Sequence, residues 1–227
     1  MSAGKLTEQA KGVFIIAATP FTDEGALDLG SVDSLTDFYL GCGVTGFTLL
    51  GIMGEAPKLT GEESLSVVER VVRRAQGRQI IVGVSHAGLE NVRRLSHEVM
   101  IAGASGVMVA PPPGLKGDEG VYNYFAQVFK ELGPDIPVVY QDYPQSTGVY
   151  LAPSVFERLV DDFKQLVMLK HEDWPGLAKL TRVRESEKKP GRRRVSILVG
   201  NGGLYLPQEL RRGADGGMTG FAWPEML

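Results

Sequence analysis

Short apolar runs rich in valine and isoleucine recur at 13–17, 47–50, 80–84, 107–110, 138–141, 166–170, 197–199 and 218–221. Each is followed by glycine or proline and then by a stretch with helical spacing. Runs this short, apolar on both faces and alternating with amphipathic segments, predict strands of a parallel sheet covered by helices. The helical segments carry boundary signals of their own. Thr60-Gly61-Glu62-Glu63 reads as a capping box ahead of the periodic Leu65, Val68, Val71 and Val72, and Gly77 follows the end of that helix. Asp118 and Glu119 open another, with Val121, Tyr124, Phe125, Val128 and Phe129 on one face. Ala152-Pro153-Ser154 and Trp174-Pro175 are read as two further starts.

Eight strand–helix units predict an α/β protein of the closed (β/α)8 TIM-barrel type over an open doubly wound sheet. No Gly-x-Gly-x-x-Gly fingerprint follows the first strand, where a dinucleotide-binding fold would carry it. In a barrel of this kind the active site lies at the C-terminal ends of the strands. That directs attention to Thr19, residues 51–55, Ser85, residues 111–113, 141–144, 170–173 and 200–203, and Thr219.

Lys170 stands out among these, a lone cation closing the apolar run Leu166-Val167-Met168-Leu169 with no obvious neutralising partner. Burial disfavours the ammonium and moves a lysine toward the free amine, the nucleophile of Schiff-base chemistry. The competing reading is an edge lysine whose stem packs on the strand while its head reaches water. Composition narrows the remaining classes. A chain of 227 residues, 43% hydrophobic and 22% charged, suits one large α/β domain over residues 1–227. A net charge of −3 argues against a nucleic-acid partner. The basic cluster Arg182, Arg184, Lys188, Lys189, Arg192, Arg193 and Arg194 is therefore read as a solvated loop and not as a polyanion site. The single cysteine, Cys42, excludes an internal disulfide and predicts a reducing, cytoplasmic setting. The polar start has no apolar leader, and no segment approaches the roughly 20 apolar residues of a membrane span. His86, His97 and His171 lack metal-ligand spacing, so neither metal nor cofactor is expected.

Gly51-Ile52-Met53-Gly54-Glu55 after the second strand, Tyr143-Pro144-Gln145-Ser146-Thr147-Gly148 after the fifth and Leu169-Lys170 in the sixth resemble the pyruvate-dependent class I aldolase family of dihydrodipicolinate synthase and N-acetylneuraminate lyase. Ala18-Thr19-Pro20-Phe21 and Gly200-Asn201-Gly202-Gly203 fit the same pattern. The resemblance implies that Lys170 forms an imine with pyruvate or another 2-keto acid. It implies that the backbone N–H groups of the loop containing Gly51, Met53, Gly54 and Glu55 hold the keto acid's carboxylate, with Thr219 as a second contact position on the eighth strand. Members are commonly homo-oligomers. A lysine-imine lyase, aldolase or dehydratase acting on a 2-keto acid such as a 2-keto-3-deoxy sugar acid is the expected function.

Departures from the family pattern modify that expectation. Ile52 and Met53 replace hydroxyl residues, so the relay that passes protons to a catalytic tyrosine is absent. Ser146 stands where the synthase branch carries an arginine, and Pro111-Pro112-Pro113 where a tyrosine is expected. Together these argue against authentic dihydrodipicolinate synthesis, although a synthase-like activity stays among the alternatives, as does a catalytically silent barrel that binds a small acid or a partner protein. The tyrosine itself is ambiguous. Anchoring on Pro144 puts Gln141 at the tyrosine position, with Tyr140 and Tyr143 on either side. Alternation along a strand gives Gln141 and Tyr143 one face and turns Tyr140 toward the helices, which favours Tyr143 as the catalytic phenol. His171, Glu172 and Asp173 follow Lys170 at the strand's mouth. An acid or base among them is one reading, and loop hydrogen bonds with Asp173 as a helix N-cap are the other. Only 222–227 follow the eighth strand, so a barrel truncated there is expected, its closing helix and the family's C-terminal helical extension lying beyond the chain given.

Overall fold

A computed structural model describes residues 3–220. Eight parallel strands close into a barrel in sequence order: β1 (Gly12–Ile16), β2 (Gly46–Leu49), β3 (Gln79–Gly83), β4 (Gly106–Val109), β5 (Val138–Asp142), β6 (Leu166–His171), β7 (Ser196–Val199) and β8 (Gly216–Thr219). β8 pairs with β1, so no strand edge is left open among them. Helices α1 (Leu29–Gly41), α2 (Gly61–Arg74), α3 (Leu89–Ala102), α4 (Asp118–Leu132), α5 (Pro144–Thr147), α6 (Pro153–Asp162), α7 (Leu177–Glu187) and α8 (Leu206–Leu210) occupy the connections.

The local signals explain where several elements begin. Thr60 and Glu63 form the reciprocal capping box of α2, each side chain bonded to the other's backbone N–H. Pro153 occupies the first turn of α6, where its missing N–H costs nothing. The expected start at Trp174-Pro175 is corrected. α7 begins two residues later, at Leu177, after a left-handed Gly176. Asp173 does not cap it, because its carboxylate pairs with Lys179 at 2.7 Å.

Two apolar layers result from strand alternation. One set of side chains, including Phe47, Val82, Val107, Tyr140, Leu169 and Val199, packs outward against the helices. The other, including Phe14, Ile81, Met108, Val139, Met168, Leu198 and Met218, fills the barrel interior. Leu6 joins this inner set, held by its N–H on the Ser105 carbonyl at 2.8 Å, and closes the N-terminal mouth. A register shift at Val138/Val139 passes over Val167, so that Met168 pairs with Val139 and Lys170 with Gln141. Both Lys170 and Gln141 therefore point inward, at the top of the filled interior.

The basic cluster is largely engaged in structure. Arg184 reaches Glu187 at 2.6 Å, Asp215 at 2.7 Å and the carbonyls of Gly213 and Val195 at 2.8 and 2.9 Å. Arg193 donates to the carbonyls of Val160, Phe163 and Leu166, and Arg194 pairs with Asp215 at 2.5 Å. These bonds tie α7 and its following loop to the end of α6 and to the bases of β6, β7 and β8. No helix among the described residues is long and apolar enough to cross a membrane.

Candidate active site

Lys170 is almost fully buried, at 2% exposure, near the C-terminal end of β6. Burial holds its amine below the ordinary lysine range, and the neighbouring Glu172 carboxylate pulls in the opposite direction. That neighbour corrects the expectation of an isolated cation. Glu172 Oε2 lies 2.9 Å from Lys170 Nζ and accepts a second hydrogen bond, also at 2.9 Å, from Gln141 Nε2. Residues two apart on a strand share a face, so the 170/172 spacing is the signal that announces this pair.

Glu172 is held from several sides. Its N–H donates to the Asp142 carbonyl at 2.8 Å, and its own carbonyl accepts from Asn201 Nδ2 at 3.0 Å. With its amide turned so that nitrogen faces this carbonyl, Gln145 donates to it at 3.0 Å and accepts from the Trp174 N–H. Gly200 leaves the room the side chain needs, for a Cβ there would stand 2.5 Å from Glu172 Oε1 and 2.7 Å from Cδ.

The loop after β2 approaches the same end of the barrel. Leu50 and Glu55 both adopt left-handed backbone conformations (φ 54° and 53°), a costly choice for residues with side chains. Thr19 Oγ1 donates to the Gly54 carbonyl at 2.7 Å and so fixes the loop from the β1 side. On the β3 side Gly83 lets it settle, since a Cβ at that position would overlap the Leu50 carbonyl oxygen and stand 2.9 Å from its carbon. Thr19 and Gly83 are parts of the site whose supporting roles composition and motif alone do not reveal.

A cavity of about 700 Å³ opens above, lined by Gly51, Ile52, Glu55, Met108, Gln141, Ser146 and Thr147, with Ser85, His86, Lys58 and residues 110–113 around its wall. Gln141 thus touches both the cavity and the Lys170–Glu172 pair. Other sequence-derived candidates fall elsewhere. Met53 lies over Gly220 at the end of β8, its Cε within 2.5 Å of where a Cβ would be. Gly54 supplies its carbonyl to Thr19 and does not line the cavity. Thr219 pairs with the outward-facing Ile15, and the preceding Met218 is the residue that enters the barrel, so what Thr219 can present inward is backbone. Tyr143 is half-buried at the start of α5 and is outside the cavity lining, whereas Tyr140 stacks on Phe125 at 4.2 Å between strand and helices.

A second polar group sits behind β6. His171 faces the helices, with Nε2 3.1 Å from the Gly176 carbonyl and Nδ1 3.5 Å from Asp142 Oδ2. Lys179 bridges Asp142 at 2.9 Å and Asp173 at 2.7 Å. This network braces the strand end that carries Lys170, on the opposite side from the cavity. His86 keeps to the cavity wall, where its ring accepts from the Gly88 N–H at 2.9 Å, and His97 is exposed on α3.

Comparison with known proteins places this arrangement. The crystal structure of dihydrodipicolinate synthase from Rhodopseudomonas palustris superposes with a TM-score of 0.95 at 51% identity, covering 98% of this chain and 74% of that one. The enzyme of the same name from Thermotoga maritima gives 0.86 at 27% identity, over 96% and 74% of the two chains. The curated 4-hydroxy-tetrahydrodipicolinate synthases of Aquifex aeolicus and Chlorobium chlorochromatii are 30% and 27% identical, over 91% and 88% of this chain and 68% and 66% of their own lengths. The chain thus spans about two thirds of the curated relatives it matches. The sequence profile of the Dihydrodipicolinate synthetase family matches residues 9–222, and the chain belongs to that family.

Proposed function

We propose that this chain is a lysine-imine lyase that makes or breaks a carbon–carbon or carbon–oxygen bond in pyruvate or another 2-keto acid, such as a 2-keto-3-deoxy sugar acid. The observation that carries the reading is Lys170. It is a buried amine beside Glu172, pointing inward at the end of β6; it does not itself line the cavity, and Gln141 is the residue that joins the two. Burial favours the neutral amine, which is the form that attacks a ketone. The resulting imine draws electrons from the adjacent carbon and permits enamine formation. The 51–55 loop, pinned by Thr19, is the proposed cradle of the substrate carboxylate, with backbone N–H groups as donors. Gly51 and Glu55 line the cavity there; Met53 and Gly54 belong to the same loop, and Thr219 is proposed as a backbone contact at the end of β8. The wall opposite carries Ser85, Ser146, Thr147 and Pro111, which suits an uncharged or hydroxylated substrate tail better than a second carboxylate. Tyr143 is the candidate phenol for protonating the departing fragment. Residues 1–227 would form one barrel domain, working in the cytoplasm as a homo-oligomer with no nucleic-acid or membrane partner.

The relatives' name suggests a synthase-like activity as an alternative. Ser146 in place of the arginine and Ile52 and Met53 in place of hydroxyl residues speak against it. The same apolar pair supports a third reading, a silent barrel that binds a small acid or a protein. Borohydride added with pyruvate separates the two imine-forming readings from the silent barrel, and turnover separates the lyase from the synthase. The lyase reading expects irreversible covalent modification only when both are present, followed by retro-aldol or dehydration turnover in a panel of 2-keto-3-deoxy sugar acids. A silent barrel expects no modification, and thermal stabilisation by pyruvate that survives Lys170→Ala unchanged.

A further inference from the structure

Imine formation needs a group that moves protons between the attacking amine and the departing oxygen. The side chains at Ile52 and Met53 carry no titratable proton, and Gln141, which faces Lys170 across the β5–β6 ladder, offers only amide donors and an acceptor. Glu172 differs from all of these. Its carboxylate is buried at 6% exposure, and the oxygen 2.9 Å from Lys170 Nζ is within direct proton-transfer distance. Gln141 steers that same oxygen, and a Cβ at residue 200 would crowd the other carboxylate oxygen and the Glu172 stem.

We propose that Glu172 is the proton-transfer catalytic residue of imine formation. This rests on the lysine-imine reading above. Starting from ammonium and carboxylate, Glu172 takes one proton from Lys170, and the free amine attacks the ketone carbon. The nitrogen–carbon bond forms as the carbonyl π pair moves onto oxygen. A proton passes from the new nitrogen cation to that oxygen, giving a neutral carbinolamine. Protonated Glu172 then gives its proton to the hydroxyl, the carbon–oxygen bond breaks, water leaves, and the nitrogen lone pair closes the C=N bond. The products are an iminium and a carboxylate, so charge and protons balance and Glu172 returns to its starting form beside a cation.

The test is the rate of borohydride trapping with pyruvate as the probe, followed by intact mass across a pH series. Wild type is expected to give the adduct. Glu172→Gln keeps the shape and the hydrogen bond but cannot carry the proton, and its trapping rate is expected to fall by about 10²–10⁴-fold. Its acid limb should also move to lower pH, because the carboxylate no longer raises the amine's proton affinity. Glu172→Ala provides a second arm, in which formate should restore trapping in a concentration-dependent way and neutral formamide should not. A purely structural role predicts equal rescue by both. Trapping of Glu172→Gln at the wild-type rate with an unmoved acid limb overturns the Glu172 role and leaves the lysine-imine reading standing. No adduct in the wild type overturns that reading, and the Glu172 role with it.

Discussion

Replacing Lys170 by methionine removes the ammonium while keeping most of the apolar stem, and it leaves Glu172 buried with Gln141 as its remaining side-chain donor. Breaking one side of a buried ion pair costs about 3–5 kcal/mol, because the surviving charge has lost both water and partner. In a domain of this size each kcal/mol lowers the melting temperature by roughly 2–4 °C, so a loss of about 6–20 °C is expected near neutral pH. The deficit must depend on pH. The stranded carboxylate escapes its penalty by taking up a proton, which is easy near pH 4.5 and costly near pH 8. The folded variant then binds more protons than the unfolded chain, and its stability falls as pH rises. The double variant Lys170→Met/Glu172→Gln removes the stranded charge and should recover most of the loss at every pH. Thermal melts followed by circular dichroism across this pH range provide the assay. A single variant that melts with the wild type near pH 8, or whose deficit grows toward acid, would refute the reasoning.

Three further changes probe other parts of the structure. Gly83→Ala drives a methyl into the Leu50 carbonyl, an overpacking cost of about 1–3 kcal/mol that should lower the melting temperature and weaken pyruvate-dependent trapping together; unchanged trapping would show that the loop does not need this contact. Tyr140→Phe deletes a buried hydroxyl that has no hydrogen-bond partner among the described residues, and whose acidity burial suppresses. It should raise the melting temperature and leave trapping intact, and a loss of trapping would return Tyr140 to the catalytic candidates. Glu209, buried in α8, has its carboxyl held above the usual range chiefly by desolvation, with the His171 charge opposing. An acid raised in the folded state stabilises at low pH and loses that contribution as pH climbs through its folded value. Glu209→Gln should therefore melt higher than wild type near pH 8 and with it near pH 4.5, and the opposite order would contradict the assignment.

The barrel is legible in the chain because its signals are local and repeated. Most strands are short Val/Ile-containing runs, β2 and β8 being the exceptions, and the Thr60/Glu63 box, Asp118 and Pro153 mark helix starts within a turn of where they occur. Lys170 is legible for the opposite reason, as one charge at the end of an otherwise uninterrupted apolar strand. What escapes is set by long-range contact. Glu172 shares a face with Lys170 by simple alternation, yet its role depends on space left by Gly200 and on a hydrogen bond from Gln141, 31 residues away. Trp174-Pro175 imitates a helix start because proline suits the first turn, but the turn at Gly176 beside His171 delays α7. Thr219 falls on the outward side because the β1 and β8 register, invisible from local pattern, pairs it with Ile15. The arginines at 184, 193 and 194 read as a solvated loop, and only the fold brings them to Asp215 and to the carbonyls beneath β6 and β7.

On the lysine-imine reading one lysine, and no other, forms the covalent bond. Proteolytic peptide mapping of the protein after borohydride reduction with pyruvate tests it most directly, because Lys179 and Lys58 offer competing amines, one paired behind the strand and one at the cavity wall. A reduced pyruvyl adduct on Lys170 alone, abolished in Lys170→Ala, is the expected result. An adduct on Lys179 or Lys58, or one that persists in Lys170→Ala, would contradict it.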